Sequence, residues 1–206
     1  MKIAIVGGTG AFGRALAKRL QSRGYVVRIG SRDAQRGRER AIELGVEGGS
    51  NEEMVRDVEL VVLATKSNAA LDTARELADA IGETPVLCVA SDLAFTDLGV
   101  LPRSAERSLA EELADIVRGP VASGLQSLAA AHLSAVTLPD EDALVCGDDP
   151  RAKQLALELA EQLVAGRAVD VGPLANSRGL EAVTAAILNV NRRYGITAGL
   201  RLTGFP

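Results

Sequence analysis

One short segment constrains this chain more than any other. Residues 7–13 read GGTGAFG, directly after the β-branched run KIAIV at the N-terminus. Within it, Gly8, Thr9, Gly10, Ala11, Phe12 and Gly13 have the spacing G-x-G-x-x-G. The spacing alone is a weak signal. Here it leaves an apolar strand and opens a helix at the head of an alternating strand–helix pattern, and each glycine then has its own task. Gly8 permits a tight turn. Gly10 lets backbone N–H groups approach a pyrophosphate. Gly13 lets helix and strand pack closely. The helix N-terminus adds partial positive charge. The segment is expected to hold a dinucleotide.

The end of the second strand says which one. About twenty residues past such a loop, an NAD-binding chain places Asp or Glu against the ribose 2′-hydroxyl. This chain has Gly30, Ser31 and Arg32 there. A carboxylate repels a 2′-phosphate, whereas a hydroxyl and a guanidinium hold it. Arg36 and Arg38 follow in the next turn. Asp33 lies past the selector position and reads as the start of a helix. The expected cofactor is NADP(H).

The remaining pattern sets the fold class. KIAIVG, YVVRIGSR, VELVVLAT and PVLCVAS read as buried strands. AFGRALAKRLQSRG, RGRERAIELG and NAALDTARELADAIG read as helices between them, with Gly24 and Gly45 as stops. Regular βα alternation predicts an α/β protein with a Rossmann-type, doubly wound parallel sheet. SDLAFTDLGVLP reads as an extended loop. SAERSLAEELADIV reads as a helix started by a capping turn at Ser104, with Leu109, Leu113 and Ile116 on one face. PVASGL is a further strand. DALVCGDDPRAKQLALELAEQL is a strand and a helix capped by Asp148 or Asp149, with Pro150 in its first turn. AVDVGPLANS is a last strand and loop, and SRGLEAVTAAILNVNRRYG a final helix. A weakly marked boundary near residue 140 divides an NADP-binding domain, 1–140, from a small C-terminal α/β domain, 141–206. The final helix carries Leu180, Val183, Ile187 and Val190 in a stripe beside Ala182, Ala185 and Ala186, which suits a subunit contact.

Composition excludes some functions. The chain has 206 residues, 47% of them hydrophobic, and a formal net charge of −4. Nucleic-acid binding would favour a basic face. Cys88 and Cys146 sit in apolar contexts and read as buried reduced thiols; with a single histidine, no metal site is expected. The N-terminus has no signal-peptide pattern, and GPVASGLQSLAAAHLSAV is too polar to span a membrane. The protein is expected to be cytoplasmic.

A proton-transferring residue is hard to find. The Tyr-x-x-x-Lys pair of short-chain dehydrogenases is absent, since Tyr25 is followed by Ile29 and Tyr194 by Ala198. No lysine lies in the late helix near Asn189. His132 stands among alanines, and Lys66 follows the third strand, where a nicotinamide would lie; either is at most a weak candidate donor. Hydride transfer between two flat redox rings needs neither acid nor base on the chain, because the cofactors carry the chemistry. That points to a second redox cofactor.

IVGGTGAFGRALAKRL, GSRDAQRGRE, SAERSLAEELA, VCGDDPRAK and above all DVGPLANSRGLEAVTAAILNVNRRYG make nearly the whole chain similar to the NADPH-dependent F420 reductases. The resemblance implies a Rossmann domain and a small second domain with a cleft between them. It implies hydride transfer between nicotinamide C4 and deazaflavin C5, with coenzyme F420 as co-substrate, and a homodimer. It implies NADP contacts from Thr9, Ser31, Arg32 and Arg36. Ala64 and Thr65, after the third strand, belong to the same expected cofactor set. The deazaflavin is expected against the backbone of Gln126, Ser127 and Leu128. This chain has ATKSNAA where many relatives carry a proline and an aromatic, and ASDLAF in place of an Asn-Pro pattern. From residues alone, two other readings stay open: an NADPH-dependent reductase of another acceptor, such as an imine, flavin or metal chelate, and a non-catalytic NADP-binding sensor.

Overall fold

The computed structural model describes residues 1–104 and 106–205. In chain order the elements are β1 (Lys2–Val6), α1 (Ala11–Ser22), β2 (Val26–Ser31), α2 (Ala34–Leu44), β3 (Glu47–Ser50), α3 (Asn51–Met54), β4 (Leu60–Leu63), α4 (Ser67–Ile81) and β5 (Val86–Cys88). Then come β6 (Leu93–Thr96), β7 (Gly99–Pro102), α5 (Leu109–Ala114), β8 (Val121–Gly124), α6 (Ala130–Ser134), β9 (Ala143–Gly147), α7 (Pro150–Glu161), β10 (Ala168–Asp170) and α8 (Ser177–Tyr194).

Eight strands form one sheet in the order β10-β9-β8-β5-β4-β1-β2-β3. Every neighbouring pair is parallel except β8 with β9. The chain leaves β1 towards β2 and β3 on one side, then returns to β4 on the other. The reversal opens a crevice at the C-terminal ends of β1 and β4, where such sheets bind ligands. Both faces are covered. Ile3 and Ile5 of β1 pack into one core with Leu16 and Leu20 of α1 and Leu159 of α7. Ala4 and Val6 point the other way, to Ala74 and Leu77 of α4 and Leu113 of α5. Strands buried on both faces explain the unbroken apolar runs in the sequence.

The structure departs from the sequence reading at several places. Residues 93–102 are not a loop but the antiparallel hairpin β6–β7. Its outer edge is completed by a side chain: Val100 N–H donates to Asn189 Oδ1, and Asn189 Nδ2 donates to Val100 O, both at 2.8 Å. A partner 89 residues away leaves no local pattern. The helix expected from Ser104 starts at Leu109. Its capping box is formed by Ser108 and Glu111, while the Ser104 hydroxyl accepts from the N–H groups of Glu106 and Arg107 in a local turn. Asp33 does begin a helix, as the cap of α2, and of the two candidate caps of α7 it is Asp149 that serves. β3 and α3 went unread, because EGGS has no alternation and NEEM is only four residues long.

The expected boundary near residue 140 does not interrupt the packing. β9 and β10 extend the same sheet, and α7 shares a core with α1. Arg19 of α1 anchors the segment that leads up to this boundary. Its guanidinium, buried in a residue 9% exposed, donates to the Leu133 carbonyl at 3.0–3.1 Å and reaches those of Ala135 and Thr137. One side chain thus satisfies the carbonyl groups that α6 leaves open at its end. Part of the apolar stripe of α8 is also covered within the subunit: Leu180 packs on Leu144 and Cys146, and Ala185 on Leu93 and Val100. Among the described residues, no helix is long and apolar enough to cross a membrane.

α8 is pinned to α5 by Arg178, whose Nε donates to Glu111 Oε2 at 2.8 Å; Ser108 N–H donates to the same oxygen at 2.8 Å. The Arg178 hydrogen bond is the main cause that lowers the Glu111 carboxyl from 4.5 to about 2, against burial, which opposes it. A depressed carboxyl stabilises the fold above its unfolded value and loses that contribution as pH falls through its folded one. Denaturant melts should therefore show Glu111→Gln less stable than wild type near neutrality. The gap should close between about pH 4.5 and 2. A gap that stays constant over that window would remove the ion pair as its cause.

Candidate functional site

A cleft of about 880 Å³ lies at the C-terminal ends of β1, β2 and β4. Two helices begin on its wall without side-chain caps. Gly10 occupies the N-cap of α1 and Lys66 that of α4, and neither makes a side-chain capping bond. α2, α3, α5 and α7 have one, while α6 and α8 also begin without one but outside the lining of this cleft. A bare helix start leaves its first N–H groups and its partial positive charge for an anion. In α1 the first amide returned to the helix is that of Arg14, which donates to Gly10 O at 2.9 Å. The amides of Ala11, Phe12 and Gly13 precede it. The side chains of Ala11 and Phe12 do not line the cleft, and Phe12 packs against the core beneath α1.

The glycines set this approach. A Cβ on Gly13 would stand 2.7 Å from Gly7 O and 2.8 Å from Gly8 Cα, so helix and loop meet with no room for a side chain. Gly8 N–H donates to the carbonyls of Ile5 and Gly30, both at 3.2 Å, which fixes the turn over β2. Gly7, outside the expected motif, has φ +80 and lies against the Ala64 carbonyl. A Cβ on Gly10 would meet nothing nearer than Gly7 O at 3.3 Å. The fold therefore has nearly enough room for a side chain there, unlike at Gly13.

The other end of the cleft is cationic. Ser31 is buried at the end of β2. Arg32 and Arg36 are exposed beside it and form no ion pair among the described residues. Asp33 is occupied elsewhere, its Oδ1 accepting from Arg36 N–H at 3.1 Å as the cap of α2. Ala64 and Thr65 lie in the floor; Ala64 N–H continues the β4 ladder to Val6 O at 2.9 Å, and Thr65 Oγ1 is buried without a partner. Lys66 stands exposed on the same wall. Asn51 and Asn68 also line the cleft, and the sequence reading missed both. The only local sign of Asn51 is its place after Ser50 in the Ser-x-x-Glu capping box of α3.

Gln126, Ser127 and Leu128 follow β8. Leu125, fully buried, turns the chain there at φ +70. Gln126 Nε2 donates to Ser123 Oγ at 2.6 Å and approaches Cys88 O at 3.4 Å, bridging the ends of β8 and β5. The expected backbone donors are reduced by one, because Leu128 N–H already donates to Leu125 O at 3.0 Å and its side chain is core. The neighbouring Ser91–Asp92 loop is held by α8: Glu181 Oε1 accepts from Asp92 N–H at 3.2 Å and Leu109 N–H at 3.1 Å. Burial raises the Glu181 carboxyl above its usual range. Burial likewise pushes the Cys88 and Cys146 thiols up to about 12, and both are unpaired. His132 is not brought to the cleft. Its Nδ1 meets Glu141 Oε1, and it lines a separate cavity of about 310 Å³.

Residues 2–91 match the family model described as "NADP oxidoreductase coenzyme F420-dependent". Over its whole length the chain is 32% identical to the F420-dependent NADP reductase of Methanothermobacter thermautotrophicus, covering 96% of that protein. It is 32% identical to the enzyme of the same name from Methanocaldococcus jannaschii, with 98% of each chain covered. Among solved structures, a candidate F420-dependent NADP reductase from Arthrobacter superposes with a TM-score of 0.87 at 23% identity, over 99% of this chain and 100% of that one. An imine reductase from Streptomyces aurantiacus shares the fold at a TM-score of 0.64 and 20% identity, over 94% of this chain and 61% of that one.

The two glycines make opposite predictions. Gly13→Ala forces loop and helix apart, and overpacking of this kind costs about 1–3 kcal/mol. Its melting temperature should fall by roughly 2–10 °C, and its dinucleotide affinity should fall too. Gly10→Ala should keep its melting temperature and lose affinity alone. Calorimetry and ligand titration of the two variants check this; equal melting temperatures would show that the close approach at Gly13 relaxes freely.

Proposed function

The chain belongs to the family of F420-dependent NADP reductases, and on that premise we propose how its own residues serve the reaction. The reaction is hydride transfer between NADP(H) and coenzyme F420, with the nicotinamide and deazaflavin rings supplying the redox chemistry. The observation that carries the reading is Ser31 and Arg32 at the end of β2, where a carboxylate would turn a 2′-phosphate away.

The amides of Thr9 to Gly13 receive the pyrophosphate at the bare start of α1. Ser31, Arg32 and Arg36 hold the 2′-phosphate. Ala64 and Thr65 support the nicotinamide half, which places its reacting face towards the ends of β5 and β8. There the amides of Gln126 and Ser127 receive the deazaflavin, and the Gln126 side chain braces the two strands. The chain positions both rings and excludes water; no side chain of the cleft needs to move a proton at the reacting carbon. In this reading residues 1–140 hold NADP and residues 141–206 close the deazaflavin side. The enzyme acts in the cytoplasm as a homodimer. Its contact uses the hairpin residues Phe95 and Leu98, 77% and 89% exposed, with Val190 and Tyr194 at the end of α8. Exposed apolar side chains clustered on two neighbouring elements mark a surface that a partner covers.

Three measurements test these assignments. Mixed with NADPH and oxidised F420, the protein should bleach the deazaflavin absorbance rapidly; NADPH oxidation only with another acceptor would refute the F420 assignment. Arg32→Ala should weaken NADPH by about ten- to a hundredfold, since a charge-assisted hydrogen bond contributes about 1.5–3 kcal/mol. NADH should be nearly unchanged, and so should turnover at saturating NADPH, because the contact is equal in ground and transition states. Equal losses for both dinucleotides would make Arg32 a structural residue. Solution mass at micromolar concentration should be that of two chains, and Leu98→Asp should halve it; a monomeric wild type would sink the dimer.

A further inference from the structure

From the cleft wall we infer that Asn51 is a specificity-determining contact, its side-chain oxygen accepting from the 3′-hydroxyl of the adenosine ribose of NADP(H). The inference rests on the NADP reading above and adds a residue to it. β2 and β3 run in parallel with Ser31 opposite Ser50, so Asn51 follows directly beside the selector. Gly30 has no side chain, and a Cβ there would stand 2.6 Å from Asn51 Oδ1 and 2.9 Å from Asn51 Cα. The amide of Asn51 therefore fills the volume over β2 that a side chain at Gly30 would take. Asn51 is 8% exposed, lines the cleft with Ser31 and Arg32, and its Oδ1 is buried with no partner. A buried acceptor left unpaired is costly, and a ligand hydroxyl relieves that cost.

The chemistry fits one hydroxyl. In NAD the ribose offers two, and a carboxylate at the end of β2 accepts from them. In NADP the 2′ oxygen carries phosphate, leaving the 3′-hydroxyl as the ribose donor. An acceptor beside that phosphate must be neutral, because a carboxylate there would repel it. An amide reaching across from the next strand supplies the oxygen without the charge. Asn51 and Arg32 thus divide the selector's work: one accepts from the hydroxyl, the other binds the phosphate.

The test titrates wild type, Asn51→Ala and Asn51→Asp with NADPH, NADH and 3′-deoxy-NADPH. Asn51→Ala should weaken NADPH about five- to tenfold, as loss of one hydrogen bond predicts, and NADH by a similar factor. It should leave 3′-deoxy-NADPH unchanged, since that ligand has no hydroxyl to lose. Asn51→Asp keeps the shape and the acceptor but adds charge. It should retain NADH and weaken NADPH more than Asn51→Ala does, so the preference for NADPH shrinks. Equal weakening of NADPH and its 3′-deoxy form by Asn51→Ala would overturn the inference, as would an unchanged NADPH/NADH ratio in Asn51→Asp. Should Asn51→Ala not fold, the near-isosteric Asp variant decides alone. Wild type that binds NADPH and reduces F420 while both variants behave like it would overturn this inference and leave the reading above intact. Wild type that fails to bind NADPH would overturn both.

Discussion

The open N–H groups at the start of α1 are the interaction on which the rest of the structure depends. They exist because Gly10 offers no side-chain cap. They stand at the end of β1 because Gly13 and Gly7 let helix and loop touch at backbone distance. They are worth having only where an anion arrives. The sheet provides that place by reversing direction between β1 and β4, which opens a crevice at the strand ends. The same device recurs at the uncapped start of α4, which also lines the cleft. α2, α3, α5 and α7 instead begin on a serine or aspartate whose side chain accepts from the first turn.

Charge then decides which dinucleotide fits. Asp33 could have spoiled the cationic end of the cleft. The fold turns it into the cap of α2, where its oxygen is held by Arg36 N–H. A carboxylate at a helix N-terminus is stabilised by the backbone it faces, so the field it would direct at a phosphate is partly spent. Arg32 and Arg36 are left without a carboxylate partner among the described residues. Exposed guanidinium groups cost little to hold ready and bind phosphate through several donors. Specificity is thus built from how neighbouring groups are occupied as much as from which residues are present.

Much of this was legible in the sequence because its causes are local. The glycine loop, Ser31 and Arg32, and the apolar runs of β1, β4 and β5 each follow from neighbours within one strand–helix unit. What escaped has causes far along the chain. The β6–β7 hairpin is completed by Asn189. The start of α5 is chosen by Ser108, which meets the hydroxyl of Ser177 and whose neighbour Leu109 donates to Glu181. Asn51 enters the cleft only because β3 pairs with β2. Leu128 was expected against the deazaflavin, and nothing local shows that the turn at Leu125 uses its amide instead. His132 had no spatial partner in the sequence, and Glu141 gives it one away from the cleft.

The turn at Leu125 shows why the part after residue 140 is tied to the part before it. A buried, non-glycine residue at positive φ costs of order 1–3 kcal/mol and persists only where its surroundings fix it. Here Leu125 is fixed twice: its N–H donates to Leu144 O on the antiparallel strand β9, and its carbonyl accepts from Leu128. β9 must therefore be in place for Gln126 and Ser127 to leave β8 across the end of the sheet. α6, which follows them, is held at its far end by Arg19. Arg19 belongs to α1, whose first turn faces the dinucleotide cleft. The two ends of α1 thus reach the dinucleotide cleft and the far end of α6, the helix that follows Gln126 and Ser127, and in the reading proposed above one helix braces both cofactor sites. For a reaction whose chemistry resides in its cofactors, a fixed separation is the main thing a protein can add.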